Sequence, residues 1–310
     1  MAELISKKDF YDDPIGKDGA LSSEMEKDAY MVFACRHKFC REVCPVYLQT
    51  RDEAHTSYGF HTSLLAVARG LEKMENLQET FTHCLECGAC AIKCPNTLFG
   101  GDFYRYETTT PELVRKVRRD DAAAGRRPTQ WKAVEEYVAQ HEGYVSDQEA
   151  LVSRWADGLP LADTADTVLF VDYFTATQGT EVPTLLVKVL KALGVKVGLW
   201  KTPGVTVGEQ LETDADGWWK NAQANADGFR KAKIKTVVVL NPHDYTLMIK
   251  EYPKKVDTSG YQVIFVTDYL ADLLAKRGAG RLKPVDKAVS YHDPCTINKQ
   301  CGLNKSPGRS

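Results

Sequence analysis

Seven of the nine cysteines lie between positions 35 and 94, and 200 residues then pass before Cys295 and Cys301. Cysteines that serve as small core hydrophobes scatter along a chain. Bunching of this kind points to sulfur chemistry. The second group reads Cys84-Leu-Glu-Cys87-Gly-Ala-Cys90-Ala-Ile-Lys-Cys94-Pro95. This is C-x2-C-x2-C-x3-C-P, the bacterial run that binds [4Fe–4S] clusters. Three closely spaced thiolates on a tight loop reach three irons of one cube. Gly88 lets the backbone curl around the inorganic sulfides, and Pro95 ends the turn. Zinc needs only two C-x2-C knuckles and no proline-ended run, so a zinc-bearing interaction module is a lesser alternative.

The first group reads Cys35-Arg-His37-Lys-Phe-Cys40-Arg-Glu-Val-Cys44-Pro45. Its right half repeats C-x3-C-P, and its left half departs from the run. Counting back from Cys40, the expected cysteines fall on His37 and Ala34, with Cys35 one residue along. The two groups together hold one cysteine fewer than two four-cysteine cubes require. Three arrangements fit: His37 supplies the missing ligand, the incomplete site holds a [3Fe–4S] cluster, or solvent or another chain binds the fourth iron. The plainest alternative for His37 is a hydrogen bond beside the cluster. In two-cluster proteins the last cysteine of each run ligates the other cluster. Crossing the runs assigns Cys84, Cys87, Cys90 and Cys44 to cluster one. It assigns Cys35, Cys40 and Cys94 to cluster two, with His37 as the candidate fourth ligand. Such crossing makes the clusters neighbours, and two neighbouring clusters form a conduction path.

The elements that must position these residues change character along the chain. Residues 1–21 are polar and turn-rich and read as an arm. Residues 22–110 read as a helical two-cluster domain, with a short helix over 24–32 and apolar residues at helical spacing from Leu64 to Leu71. Residues 111–160 read as a helical linker carrying helices at about 130–141 and 147–157. From 161 to 310, short β-branched runs (168–171, 195–199, 237–240, 263–266 and 289–291) alternate with amphipathic helices (181–193, 215–232, 243–251 and 268–276). That alternation predicts a parallel sheet covered by helices. The fold class is therefore α+α/β: a helical ferredoxin-like domain followed by a parallel-sheet α/β domain. No G-x-G-x-x-G follows a strand, and no Ser/His/Asp set, Walker loop or H-E-x-x-H helix appears.

The chain has 310 residues, 43% hydrophobic and 26% charged, with a formal charge of −2. That balance argues against a protein built to grip nucleic acid. No apolar window approaches the length of a membrane span, and the N-terminus lacks a secretory h-region. A cytoplasmic protein with reduced thiols is expected, with peripheral membrane association through a partner compatible.

The Cys84–Pro95 run, the Cys40 to Cys44-Pro45-Val46-Tyr47 segment and Tyr291-His292-Asp293-Pro294-Cys295 together resemble iron–sulfur subunits that carry a cysteine-rich CCG domain. These include subunits of heterodisulfide reductase, glycolate oxidase and anaerobic glycerol-3-phosphate dehydrogenase. The resemblance implies an electron-transfer subunit with a flavoprotein or other redox subunit as partner. It also implies two CCG repeats, whose thiolates in some members bind a non-cubane cluster that reduces disulfides. This sequence departs from that pattern. The first repeat's ligand positions read Val171-Asp172-Tyr173-Phe174, Thr202-Pro203-Gly204 and Asn241-Pro242-His243-Asp244, with no thiol. The second repeat begins at Cys295 and is not completed before Ser310. Cys295 is a weak metal-ligand candidate; it and Cys301 read first as free thiols. A catalytic disulfide reductase that uses Cys295 with residues beyond 310 is the alternative function.

Four further features carry both a functional and a plain reading. The basic stretch Arg115 to Arg127 is a partner-docking face or, more simply, a solvated linker helix. Tyr58-Gly59-Phe60-His61 shields a cluster or belongs to the core. Trp218-Trp219 caps an interface or packs. His243, Asp244 and His292 are a weak metal set.

Overall fold

The computed structural model describes residues 37–94, 109–126, 154–200 apart from 163, 173, 174 and 177, 211–277 apart from 213, then 283 and 286–301. It also describes single positions at 21, 25, 28, 29, 32, 35, 132, 133 and 136. Two compact units divide at Lys132 and Ala133. The helices expected over 130–141 and 147–157, and positions 202–204, lie largely outside the described residues.

The first unit is helical. Its order is α1 (Cys40–Val43), α2 (Pro45–Thr50), a 3-10 turn (Glu53–His55), α3 (Ser57–Ala68), a second 3-10 turn (Met74–Asn76), α4 (Gln78–Thr82), α5 (Ala89–Lys93) and α6 (Thr110–Ala123). Thr56 starts α3 by accepting the Gly59 amide at 3.0 Å, so one of the helix's orphan donors is satisfied. Helix α3 buries Phe60, Leu64, Leu65 and Val67, and Phe60 stacks on Phe81 of α4 at 5.4 Å. Leu113, Val114 and Val117 of α6 complete the same core. Helix α6 begins with Thr109 and Pro111, and the Thr109 amide donates to Glu112 Oε2 at 2.9 Å, half of a capping box.

The second unit is a three-layer α/β fold. Its strands are β1 (Thr167–Phe170), β2 (Gly198–Leu199), β3 (Thr236–Val239) and β4 (Gln262–Phe265). All pair in parallel in the order β2-β1-β3-β4. Val168, Phe170, Val237 and Val239 face one layer, which contains α8 (Ala215–Lys231), α9 (Pro242–Lys250) and α10 (Tyr252–Lys255). Leu169, Val171, Val238 and Leu240 face the other, which contains α7 (Glu181–Ala192) and α11 (Val266–Arg277). That strict alternation follows from the two-residue period of a strand, and burial on both faces is what parallel sheets require. Trp218 is fully buried in the first layer, edge-on to Tyr252 at 5.6 Å.

Two expected strands are corrected. Residues 289–291 form no strand; Val289 is 87% and Tyr291 54% exposed. Strand β2 is confined to 198–199, because the Val195 amide closes the end of α7 on the Leu190 carbonyl at 2.8 Å. A π-helical turn, Thr296–Gln300, follows the extended segment.

Candidate metal centre

The two proline-ended half-runs adopt the same local structure. In the first, the Cys44 amide donates to the Cys40 carbonyl at 3.0 Å and Cys44 closes α1 with φ −76°, ψ 113°. In the second, the Cys94 amide donates to the Cys90 carbonyl at 2.9 Å and Cys94 closes α5 with φ −75°, ψ 120°. The residue two before each helical cysteine is left-handed: Lys38 at φ 51° and Gly88 at φ 72°. Glycine takes that conformation freely and lysine at a cost. Helices α1 and α5 pack on each other, and Lys93 meets Glu42 across them at 3.7 Å.

This packing brings the thiols within one another's fields. The Cys90 thiol lies in the field of Cys87, Cys44 and Cys40, and Cys84 in the field of Cys90. The Cys40 thiol lies in the field of Cys35 and Cys94. Burial pushes Cys84 and Cys90 up to about 12, and it raises Cys40 as well. The Glu86 amide and the Arg118 guanidinium oppose this at Cys84, and the Thr110 hydroxyl opposes it at Cys90. The Tyr58 backbone and the Thr56 hydroxyl do so at Cys40. The Cys44 thiol donates to the His55 carbonyl at 3.4 Å.

His37 is exposed, and its ring stacks on Phe39 at 5.2 Å. Tyr58 contributes backbone at Cys40 while Phe60 and His61 are buried in the core. The His61 Nδ1 sits 2.9 Å from the Asp28 carbonyl, and burial pushes this histidine down to about 4.

The solvated-linker reading of Arg115 to Arg127 is corrected for two residues. Arg118 Nη1 donates to Glu86 Oε1 at 2.7 Å, and Arg115 Nη2 donates to Glu86 Oε2 at 2.7 Å. Arg118 also donates to the carbonyls of Phe81 at 2.9 Å, Thr82 at 3.2 Å and Cys84 at 2.7 Å. Glu86 is itself left-handed, at φ 50°, and its amide donates to Cys84 Sγ at 3.4 Å. The start of α6 reaches the site too. The hydroxyls of Thr110 and Ser57 are 2.7 Å apart, and Thr110 also faces the Cys90 sulfur. Helix α6 is thus part of the site, whereas the sequence reads it as a linker helix.

Cys295 stands apart from these thiols in chain and in unit. It precedes the π-helical turn, with Lys299 Nζ 3.5 Å from its sulfur, while Cys301 donates to Thr246 Oγ1 at 3.5 Å. The former ligand positions of the first repeat now cap helical turns. Asp172 accepts from the Thr175 amide at 3.1 Å, and Asn241 accepts from the His243 amide at 2.8 Å. Among the described residues, no three His, Cys, Asp or Glu side chains form a ready cage for a single ion; this includes His243, Asp244 and His292.

The donor set of the first unit fits iron–sulfur clusters. Seven thiols gather there, and the buried ones keep their protons unless a metal displaces them. The 4Fe-4S dicluster domain family matches residues 32–98. Over 290 residues the chain is 22% identical to a component of the dihydromethanophenazine:CoB–CoM heterodisulfide reductase of Methanosarcina barkeri, covering 86% of this chain and 69% of that protein. It is 27% identical over 124 residues to EtfAB:quinone oxidoreductase of Syntrophomonas wolfei, covering 39% of this chain and 17% of that protein. It is 29% identical over 80 residues to a probable iron-sulfur-binding oxidoreductase of Bacillus subtilis, covering 25% of this chain and 11% of that protein. No solved structure matches. The chain is an iron–sulfur protein that resembles this heterodisulfide reductase component. Among the described residues no helix is long and apolar enough to cross a membrane.

Proposed function

We propose that this chain is an electron-transfer subunit that relays electrons through two neighbouring iron–sulfur clusters of an oxidoreductase complex. The observation that carries the reading is the pairing of α1 with α5, which brings Cys40 and Cys44 into the field of Cys90, and Cys94 into that of Cys40. Cys84, Cys87, Cys90 and Cys44 would hold a [4Fe–4S] cluster. Cys35, Cys40 and Cys94, with His37 as candidate fourth ligand, would hold a [4Fe–4S] or [3Fe–4S] cluster. The clusters supply one-electron redox capacity; the chain supplies ligands, spacing and a water-poor surround. A flavoprotein or another redox subunit would donate, and a second acceptor would complete the path. The names of the relatives, one component of a multi-subunit reductase and one quinone oxidoreductase, support such partners. The expected site is cytoplasmic, with membrane contact through a partner.

Anaerobic iron and sulfide analysis tests the reading. About 7–8 irons per chain with matching sulfide are expected. Fewer than about 3 irons, with zinc in their place, would overturn it. Catalytic disulfide reduction at Cys295 is the second reading, favoured by the name of the heterodisulfide reductase relatives. It predicts that Cys295→Ser abolishes disulfide reduction by the assembled complex while the irons of the first unit remain.

A further inference from the structure

The most completely bonded charged group near the candidate ligands is Arg118. Its side chain is 12% exposed, that of Arg115 13% and that of Glu86 18%. Burying two guanidiniums and one carboxylate is costly unless every donor and acceptor is used. Here each oxygen of Glu86 takes a different arginine, and Arg118 spends its remaining donors on three backbone carbonyls. Two of those, Phe81 and Thr82, lie at the end of α4, where an arginine is an ordinary helix stop. The other contacts are not explained by that role. The Cys84 carbonyl and the Glu86 carboxylate belong to the four-residue loop that spans the first two candidate ligands.

That loop needs holding. Glu86 is a non-glycine residue in the left-handed region, and its amide points to the Cys84 sulfur. Such a conformation persists when the surroundings enforce it. The planar fork of arginine suits the task, since it grips a carboxylate and adjacent carbonyls at once; a lysine carries the charge without the fork. Arg118 also places a positively charged group beside one ligand set, its Nη2 2.7 Å from the Cys84 carbonyl. The first run has the half-buried Lys38–Glu53 pair instead, at 3.1 Å.

We propose that Arg118, aided by Arg115 and Glu86, is a positioning residue that fixes the Cys84–Cys87 loop for its cluster and raises that cluster's reduction potential relative to its neighbour's. The inference rests on the two-cluster reading above. Reduction adds one electron, and so one negative charge, to a cluster; a fixed cation nearby favours that state. Hydrogen-bonded partners behind metal ligands are known to tune both retention and potential.

The test compares iron-loaded wild-type chain with Arg118→Gln, Arg118→Lys and Glu86→Gln. Midpoints are read by EPR-monitored titration, and iron loss is followed on challenge with a ferrous chelator. Arg118→Gln is expected to lower one midpoint and leave the other. Arg118→Lys keeps the charge and loses the fork, so about half the iron should leave on the order of ten-fold faster or more. Glu86→Gln should raise the same midpoint, and it serves if the arginine variants fail to fold. Unmoved midpoints with wild-type iron loss in every folded variant would overturn the inference and leave the two-cluster reading intact. A wild-type chain that takes up no iron would overturn both.

Discussion

The first unit contains two copies of one device that differ in what stands behind them. Both have a short helix between cysteines, a left-handed residue two before the helical cysteine, and an extended cysteine at the end. The complete run has Gly88 at the left-handed position and a buried Arg115–Glu86–Arg118 clamp. The incomplete run has Lys38 there, a half-buried ion pair to Glu53, and exposed His37 where the repeat would place a cysteine. One half-site is backed by a more deeply buried charged group, 12–18% exposed, and the other by a pair that is 35–39% exposed. The ligand pattern alone does not make two sites equivalent; the atoms behind the ligands distinguish them.

Substitutions in each run separate the two half-sites. The largest effect should come from Cys90→Ser, in the complete run. Iron analysis should show a loss of about half the iron or more, whereas Cys35→Ser should spare the cluster of the complete run. Next is Glu86→Ala, which removes the carboxylate that two largely buried guanidiniums share. Breaking a buried ionic group typically costs about 3–5 kcal/mol, read as a fall in the unfolding midpoint of the first unit. Glu53→Ala, in the half-buried counterpart, should move the same curve less. Equal losses from the two glutamate variants would erase the distinction.

A smaller effect is set by pH and concerns the core that both half-sites share. His61 is buried, and its folded value of about 4 lies below its ordinary one near 6.5. The unfolded chain therefore binds the proton first. Stability is full above about pH 6.5 and falls as pH drops toward 4, by up to about 3 kcal/mol. Urea unfolding at several pH values should show this slope in the wild type and lose it in His61→Gln. The smallest effect should come from His37→Ala. As a ligand, His37 predicts an altered EPR spectrum for the incomplete site alone; an unchanged spectrum removes it from the ligand set.

Much of this was readable from the residues in order. The C-x3-C-P segments specify their own helices and extended ends, because the relevant hydrogen bonds are local. The β-branched runs at 167–170, 236–239 and 262–265 form strands because helices bury them on both faces. Val289-Ser290-Tyr291 also carries strand-favouring Val and Tyr, yet it lies outside any strand and stays exposed. Strand propensity expresses packing against neighbours, and none of the four strands pairs with this segment. The arginine clamp was hidden for another reason. Arg118 meets backbone carbonyls more than thirty positions earlier, and a carbonyl has no sequence signature. A basic, amphipathic helix reads identically whether its arginines face water or a loop.

The central claim is that two clusters sit close enough to pass electrons between them. EPR of the fully reduced, iron-loaded chain tests it most directly. Neighbouring paramagnets couple, so the account predicts a broadened, split spectrum that simplifies to a single-cluster signal in Cys90→Ser. A fully reduced spectrum that is the plain sum of two independent signals, or that contains one signal only, would contradict it.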